Sequence, residues 1–145
     1  MFERAGVNCP VHADIETALW SKLTVNCAFN AISALGRSRY GRMADTPLVR
    51  ALMEDVIRET LAVARADGVH LDDDTMIADV WKVAGAMASQ YSSTAQDILR
   101  GKPTEIDMLN GFVADRAVAL GVAAPLSRTL HALVKLREAG DDFAS

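Results

Sequence analysis

Apolar residues recur along most of this chain at intervals of three and four positions, which is the spacing of an amphipathic α-helix. No stretch shows the sustained two-residue alternation of a half-buried strand. Proline and glycine residues divide the pattern into segments of helical length. The sequence therefore predicts a single all-α domain of about six helices over residues 1–145.

The longest predicted helix spans residues 14–36, and the rest of the chain is organised around it. Asp14 can cap its start, no proline interrupts it, and Gly36 can end it. Its apolar residues cover almost the whole circumference instead of one narrow stripe. A helix of this kind is usually buried in the middle of a bundle. We therefore expect it at the centre of the fold, with Cys27 as a core thiol.

Three polar side chains interrupt the apolar surface of this first helix. Lys22, Asn26 and Asn30 lie four residues apart on one line along the helix, and Ser33 falls on the same line. A buried amide without a partner costs about 1–3 kcal/mol, and an unpaired buried charge costs more. Either these side chains satisfy each other or a neighbouring helix end, or they face a hydrated cleft that holds a polar ligand.

Proline, serine and glycine mark the boundaries of the later helices. Thr46 with Pro47 predicts a capped helix start, Ser93 begins a capping-box sequence, and Gly121 predicts a helix end. Pro103 and Pro125 open two more segments. The five further helices are predicted at residues 47–66, 75–89, 93–101, 103–120 and 125–138.

Two clusters of like charge lie between the predicted helices. Arg37, Arg39 and Arg42 belong to a predicted loop at residues 36–46. They could bind phosphate, or they could form a solvated loop that complements the negative end of the first helix. The three consecutive acids at residues 72–74 favour a helix N-terminus over a metal site for the same electrostatic reason. We expect no metal ion.

Composition narrows the class of protein further. Half of the 145 residues are hydrophobic and the net charge is −4, which suits a soluble globular domain and argues against a nucleic-acid surface. No apolar run reaches the length of a membrane span, and the N-terminus lacks the pattern of a signal peptide. The two cysteines, Cys9 and Cys27, form neither a disulfide framework nor a metal set. We expect a cytoplasmic protein.

Two motifs resemble those of the ketopantoate reductases. The first is WSKLTVNCAFNAISAL at residues 20–35, which is similar to the helix that opens the C-terminal domain of that family. The second is SSTAQDILRGKPTEIDMLNG at residues 92–111, which is similar to the second site motif of the family. Their order and separation also fit, and the similarity covers nearly the whole chain. The resemblance implies a helical bundle like the C-terminal domain of 6-phosphogluconate dehydrogenase.

The resemblance also implies an activity and a set of site residues. The reaction is the NADPH-dependent reduction of a 2-oxo acid, with Lys22 as proton donor. Asn26 and Asn30 match the amides that bind the hydroxyl end of the substrate, and Ser93 matches the hydroxyl that contacts its carboxylate. Glu105 matches the acid near the lysine and the cofactor, where its charge would help to keep the lysine protonated. A helix beginning at Ser93 would also suit a carboxylate.

The chain departs from the family pattern in two respects. It contains no G-x-G-x-x-G turn after a strand, which is the element that holds dinucleotide phosphates in the N-terminal Rossmann domain of the family. It therefore also lacks the substrate-binding asparagine which that domain supplies. Tyr40 stands where some members have a small polar substrate contact.

Two hypotheses follow from the motifs and the departures. The first is the catalytic C-terminal half of a ketopantoate-reductase-like enzyme, inactive alone and bound to NADP(H) only together with a Rossmann domain. The second is a non-catalytic helical dimerisation or ligand-binding module. Under either hypothesis the uncovered side of the first helix should favour a homodimer. His12, His70 and His131 are assigned to the surface or the core.

Overall fold

The fold is a bundle of helices in a computed structural model that describes residues 10–140, with side chains from Asp14 onward. The described part of the chain contains no strand, so the all-α prediction is confirmed, with seven α-helices where about six were predicted. A single 3₁₀ turn at Ile106–Met108 lies between the fifth and sixth helices. The helices are α1 (Pro10–Gly36), α2 (Tyr40–Asp45), α3 (Pro47–Ala66), α4 (Asp73–Ala86), α5 (Ser93–Leu99), α6 (Asn110–Leu120) and α7 (Pro125–Ala139).

Helix α1 is the central helix, as its all-round apolar surface predicted. It packs against α3, α5, α7 and α4, and it buries Trp20, Cys27 and Phe29 completely or almost completely. Burial raises the pKa of the Cys27 thiol, and the charge of Glu59 adds to this effect, so this cysteine is a core group. The predicted start was wrong. The helix begins at Pro10, where proline suits the first position, so Asp14 lies within it and does not cap it.

The basic segment after α1 is not wholly a loop. Residues 40–45 form α2, because both the side chain and the backbone of its first residue, Tyr40, contact other parts of the fold. The Tyr40 ring stacks on the Phe29 ring, with centroids 4.1 Å apart. The backbone N–H of Tyr40 donates to the carbonyl of Gln90 at 3.0 Å. The next N–H, from Gly41, donates to Ala88 at 3.0 Å. These long-range contacts, which the local sequence does not reveal, join α2 to the segment that precedes α5.

Two of the predicted helix starts are confirmed, with different details of capping. Helix α3 begins at Pro47 as predicted, but the Thr46 hydroxyl donates back to the carbonyl of Arg42 at 2.7 Å and does not cap it. The acids at residues 72–74 do mark a helix start. The carboxylate of Asp72 accepts from the N–H of Thr75 at 2.9 Å and caps α4.

The predicted helix over residues 103–120 is broken into two pieces. Residues 103–105 are not helical, a 3₁₀ turn follows, and α6 starts only at Asn110 because Leu109 has φ −110° and ψ −107°. Helix α6 ends at Gly121 as predicted, with φ +70° in the left-handed region that glycine tolerates. Helix α7 spans nearly the predicted residues. None of the described helices is both long and apolar enough to cross a membrane.

Candidate functional site

The polar line on α1 runs from the surface towards the core. Lys22 is exposed, Asn26 is half-buried, and Asn30 is only 5% exposed. Within the described part of the chain, these three side chains form no hydrogen bond or ion pair with the protein. Among the described residues, these side chains therefore do not satisfy each other or a neighbouring helix end. A cation and two amides on one line remain available to a polar ligand.

Helix α5 is fastened to the buried end of this line through a serine that the sequence analysis did not select. The Ser92 hydroxyl donates to the backbone carbonyl of Asn30 at 3.2 Å, and the Ser92 N–H donates to the hydroxyl of Ser33 at 3.1 Å. The Ser33 hydroxyl in turn donates to the carbonyl of Ser38 at 2.8 Å. Ser33 and Ser92 are both fully buried. They hold two loops against the last turns of α1.

The predicted cap of α5 was wrong by one residue. Ser92, not Ser93, is the N-cap residue, and its hydroxyl accepts from the N–H of Ala95 at 3.0 Å. The reason is tertiary, because the residue at position 92 also has to reach α1. Ser93 is the first residue of the helix and is exposed. Its hydroxyl is therefore left free of the capping role, next to the segment that contacts Asn30.

The loop that carries Glu105 is held from both sides by α7. The N–H of Thr104 donates to the carboxylate of Glu138 at 2.8 Å, and the Thr104 hydroxyl contacts the same carboxylate oxygen. On the other side, Asp107 pairs with His131 at 2.7 Å and with Lys135 at 3.3 Å. Glu105 itself is exposed between these two attachments. The network fixes the backbone on both sides of Glu105, whose side chain forms no hydrogen bond or ion pair with the part of the chain that the structure describes.

Hydrogen bonding also sets the charges of this network. Partial burial opposes the ionisation of Glu138, but the bonds from Thr104 and Lys135 outweigh it and lower the pKa of the carboxyl group. The pKa of Asp107 is lowered by its bonds to His131 and then to Lys135. Both acids are therefore held ionised. His131 belongs to the surface, as expected, but it has a specific partner.

A glycine allows His131 to approach α6. A Cβ atom at Gly111 would lie 2.8 Å from the His131 Nε2 atom, which is closer than nonbonded atoms approach. His131, Lys135 and Glu138 are spaced by four and three residues, so α7 presents them on one face. That spacing was the one signal in the sequence for this network, although it does not identify the partners.

The second motif also contains a buried amide that the protein does not satisfy. Both polar atoms of the Asn110 side chain are buried without a hydrogen-bond partner among the described residues, and so is the indole N–H of Trp20. The Trp20 ring packs against Phe112, with centroids 5.9 Å apart. An unsatisfied buried amide costs about 1–3 kcal/mol, so bound water is the simplest partner. The sequence analysis did not single out either residue.

The predicted site residues fall into one connected group and one separate residue. Contacts of Ser92 connect the α1 line to Ser93. No ion pair among the described residues joins Glu105 to Lys22, so the influence of that acid on the lysine stays a prediction. No group of three or more His, Cys, Asp or Glu side chains in the described part of the chain could hold a metal ion.

Comparison with known proteins shows to which family this chain is similar. The family model described as "Ketopantoate reductase PanE/ApbA C terminal" matches residues 14–138. The 2-dehydropantoate 2-reductase of Pyrobaculum aerophilum is 41% identical over 138 residues, which are 95% of this chain and 49% of the relative. That of Halobacterium salinarum is 34% identical over 137 residues, which are 94% and 45% of the two chains. The chain thus spans about half the length of the curated relatives it matches.

Solved structures resemble the fold over the same region. A PanE/ApbA family ketopantoate reductase from Ralstonia eutropha JMP134 superposes with a TM-score of 0.80 at 50% identity, covering 85% of this chain and 41% of the other. The dimeric ketopantoate reductase from Staphylococcus aureus gives a TM-score of 0.79 at 27% identity, covering 86% and 43%. The helical bundle is therefore similar to one part of these longer chains.

Proposed function

Because the chain belongs to the ketopantoate reductase family and matches its C-terminal region, we propose that it is the substrate-binding and catalytic domain of a 2-oxo acid reductase of the 2-dehydropantoate type. The observation that carries this proposal is the line of Lys22, Asn26 and Asn30, whose side chains have no hydrogen-bond or ion-pair partner among the described residues and which ends beside the segment of Ser93. Asn30 is only 5% exposed, and a polar ligand beside it would supply the hydrogen bonds that the described residues do not.

The side chains of this line suit the chemistry of carbonyl reduction. The carbonyl oxygen of a 2-oxo acid gains negative charge as its carbon is reduced, and it becomes a hydroxyl by taking one proton. We assign to the Lys22 ammonium the hydrogen bond to that oxygen and the donation of that proton. Asn26 and Asn30 would bind the hydroxyl end of the acid, and the Ser93 hydroxyl would donate to its carboxylate.

The nucleotide is expected to reach this site on a separate unit. Residues 10–140 contain no strand, and therefore no strand followed by a glycine-rich turn, so the described residues do not by themselves fit a dinucleotide. NADP(H) would supply the hydride when bound to a Rossmann domain, and we expect none on this chain alone. Glu105 is the residue that we propose near both Lys22 and the cofactor. The contacts of Thr104 and Asp107 would position Glu105 through its backbone without pairing its carboxylate.

An apolar surface continues the polar line towards the start of α1. Ile15 is 51% exposed and Leu19 is 40% exposed, and both lie on the side of the helix that carries Lys22. We propose that this face is covered in the functional protein, by the nucleotide-binding unit or by a second copy of the chain. The ketopantoate reductase from Staphylococcus aureus is dimeric. We expect a homodimer in native mass spectrometry at micromolar concentration, and a sharp monomer mass would contradict this.

The decisive test is NADPH oxidation with ketopantoate, measured for the purified chain alone and together with a separately produced nucleotide-binding domain of a relative. We expect no turnover alone and restored turnover in the mixture. Lys22→Ala should reduce the restored rate by at least ~100-fold, in the range for loss of a general acid. Lys82→Ala removes an exposed lysine of α4 and should leave the rate unchanged.

The remaining outcomes separate the alternatives. Turnover by the chain alone that Lys22→Ala abolishes would mean that the helical domain holds the nucleotide itself. No turnover in the mixture, with both proteins folded and binding each other, would favour the non-catalytic dimerisation or ligand-binding module. Equal rates for Lys22→Ala and Lys82→Ala would refute the assignment of Lys22.

A further inference from the structure

The backbone around Glu105 is restrained more than is usual for an exposed connection between helices. The carbonyl of Glu105 accepts from the N–H of Met108 at 2.9 Å, and the N–H of Ile106 donates to the Thr104 hydroxyl at 3.3 Å. The side chain of Ile106 is fully buried in the core. Exposed connections usually have fewer restraints of this kind and move more than the helices they join. The backbone position of Glu105 is therefore closely defined, although its side chain is exposed.

Glu138 of α7 makes the attachment that lies next to Glu105 in the sequence. One oxygen of the Glu138 carboxylate accepts from the backbone N–H of Thr104 at 2.8 Å and also contacts the Thr104 hydroxyl. Hydrogen bonds to an ionised carboxylate are roughly twice as strong as those between neutral groups. The side chain of Glu138 is only 15% exposed, so water competes little for its oxygens. Glu138 thus holds the residue that directly precedes Glu105.

Lys135 joins this attachment to a second one on the other side of Glu105. Its ammonium group lies 3.3 Å from the other carboxylate oxygen of Glu138 and 3.3 Å from one carboxylate oxygen of Asp107. The remaining oxygen of Asp107 lies 2.7 Å from the Nε2 atom of His131. One face of α7 therefore holds the residues before and after Glu105, and the cation between the two acids orients both. A change at Glu138 should consequently alter the position of Glu105.

We propose that Glu138 is a positioning residue for the carboxylate of Glu105 and acts on it through Thr104. Lys135 holds Glu138 in the required orientation. This inference rests on the proposed function, which assigns Glu105 a place near Lys22 and the nucleotide. A displacement of about 1 Å in a group that takes part in a reaction can cost roughly 100-fold in rate. In this role Glu138 contacts neither the substrate nor the cofactor, and it affects the reaction only through the position of Glu105.

The test is a double-mutant cycle in the NADPH oxidation assay, with the full chain and the separately produced nucleotide-binding domain. Glu138→Ala should lower kcat by at least ~10-fold, because Glu105 loses its fixed position. In the Glu105→Ala background the same change should alter kcat by less than about twofold, since no carboxylate is left to position. An equal loss in both backgrounds would show a general structural effect and would overturn the proposal.

Two substitutions of Thr104 test the same attachment without removing a charge, in case Glu138→Ala does not fold. Thr104→Val removes the hydroxyl group that contacts Glu138 and should lower kcat by about 3–10-fold. Thr104→Ser retains the hydroxyl group and should stay within about twofold of the wild-type rate. Equal losses for the two variants would show that the shape of the side chain matters and not its hydrogen bond, and would overturn the proposal.

Amide hydrogen exchange of the full chain alone gives a readout that does not depend on turnover. Glu138→Ala should speed exchange at the N–H of Met108, which donates to the carbonyl of Glu105, by at least ~10-fold. Glu54→Ala is the matched control, because it removes a carboxylate of α3 that accepts from the indole N–H of Trp81 at 3.2 Å. It should leave kcat and this exchange rate within about twofold of wild type. Unchanged exchange in Glu138→Ala, or equal changes in the two variants, would overturn the proposal.

The two assays separate failure of this inference from failure of the proposed function. Turnover that Lys22→Ala reduces and Glu138→Ala leaves unchanged would refute the positioning role and leave the proposed function in place. No turnover by the wild-type mixture, with both proteins folded and binding each other, would refute the proposed function. The exchange rate at Met108 would then decide by itself whether Glu138 holds the backbone of Glu105.

Discussion

Ser33→Ala should destabilise the protein far more than the loss of one hydroxyl group suggests. The Ser33 hydroxyl is fully buried, donates to Ser38 at 2.8 Å and accepts from the N–H of Ser92 at 3.1 Å. Each lost bond is worth about 0.5–1.5 kcal/mol, and the N–H of Ser92 would then be buried without a partner, which costs about 1–3 kcal/mol. We expect the free energy of unfolding to fall by about 2–4 kcal/mol.

Urea unfolding followed by circular dichroism at 222 nm measures this loss. With a slope of roughly 2 kcal/mol per molar urea, the midpoint should fall by about 1–2 M. Thr60→Val is the matched control, because the buried Thr60 hydroxyl donates only to the carbonyl of Val56 in its own helix, at 2.8 Å. That variant should lose less than about 1 kcal/mol. Equal losses for the two variants would refute the view that Ser33 fastens two loops to α1.

Three further predictions concern α6, α7 and the acidic network. Glu59→Ala should cost about 1–3 kcal/mol in urea unfolding, since its carboxylate accepts from the two N–H groups that begin α7, at 3.0 and 2.7 Å. Gly111→Ala should lower the free energy of unfolding by about 1–3 kcal/mol, because the new Cβ displaces His131. Gly85→Ala, which has open space around it, should raise it by about 0.5–1 kcal/mol in the same assay. Changes of the same sign for the two variants would contradict this. The lowered pKa of Asp107 means that its contribution to stability is present above the unfolded value of roughly 3.9 and is lost as pH falls through the lower folded value. Asp107→Asn should therefore be less stable than wild type at pH 6, and the difference should shrink below about pH 3.5; a constant difference would refute the assignment.

Only part of the proposed site could be predicted from the sequence. The spacing of Lys22, Asn26 and Asn30 was sufficient to place them on one line, because helix geometry fixes residues four apart. That they have no partner in the described part of the chain could not be predicted, since it depends on every neighbouring helix. Ser93 was chosen as the cap of α5 from the capping-box pattern that it forms with Gln96, a pattern that Ser92 does not satisfy because Ala95 stands three residues after it. The contact with Asn30, which is 62 positions away, decides between them.

The sequence by itself determined the helical class and the central position of α1. It also determined that α3 begins at Pro47, that α6 ends at Gly121 and that α7 begins at Pro125. These features depend on interactions within about four residues, on the conformations of proline and glycine, and on the periodicity of burial. Only the tertiary structure decided that residues 103–109 would leave the helix. The partners that hold Thr104 and Asp107 come from α7, between 24 and 34 positions along the chain. Hydrogen bonds over such separations leave no periodic trace in the sequence, because their partners are chosen by how the helices pack.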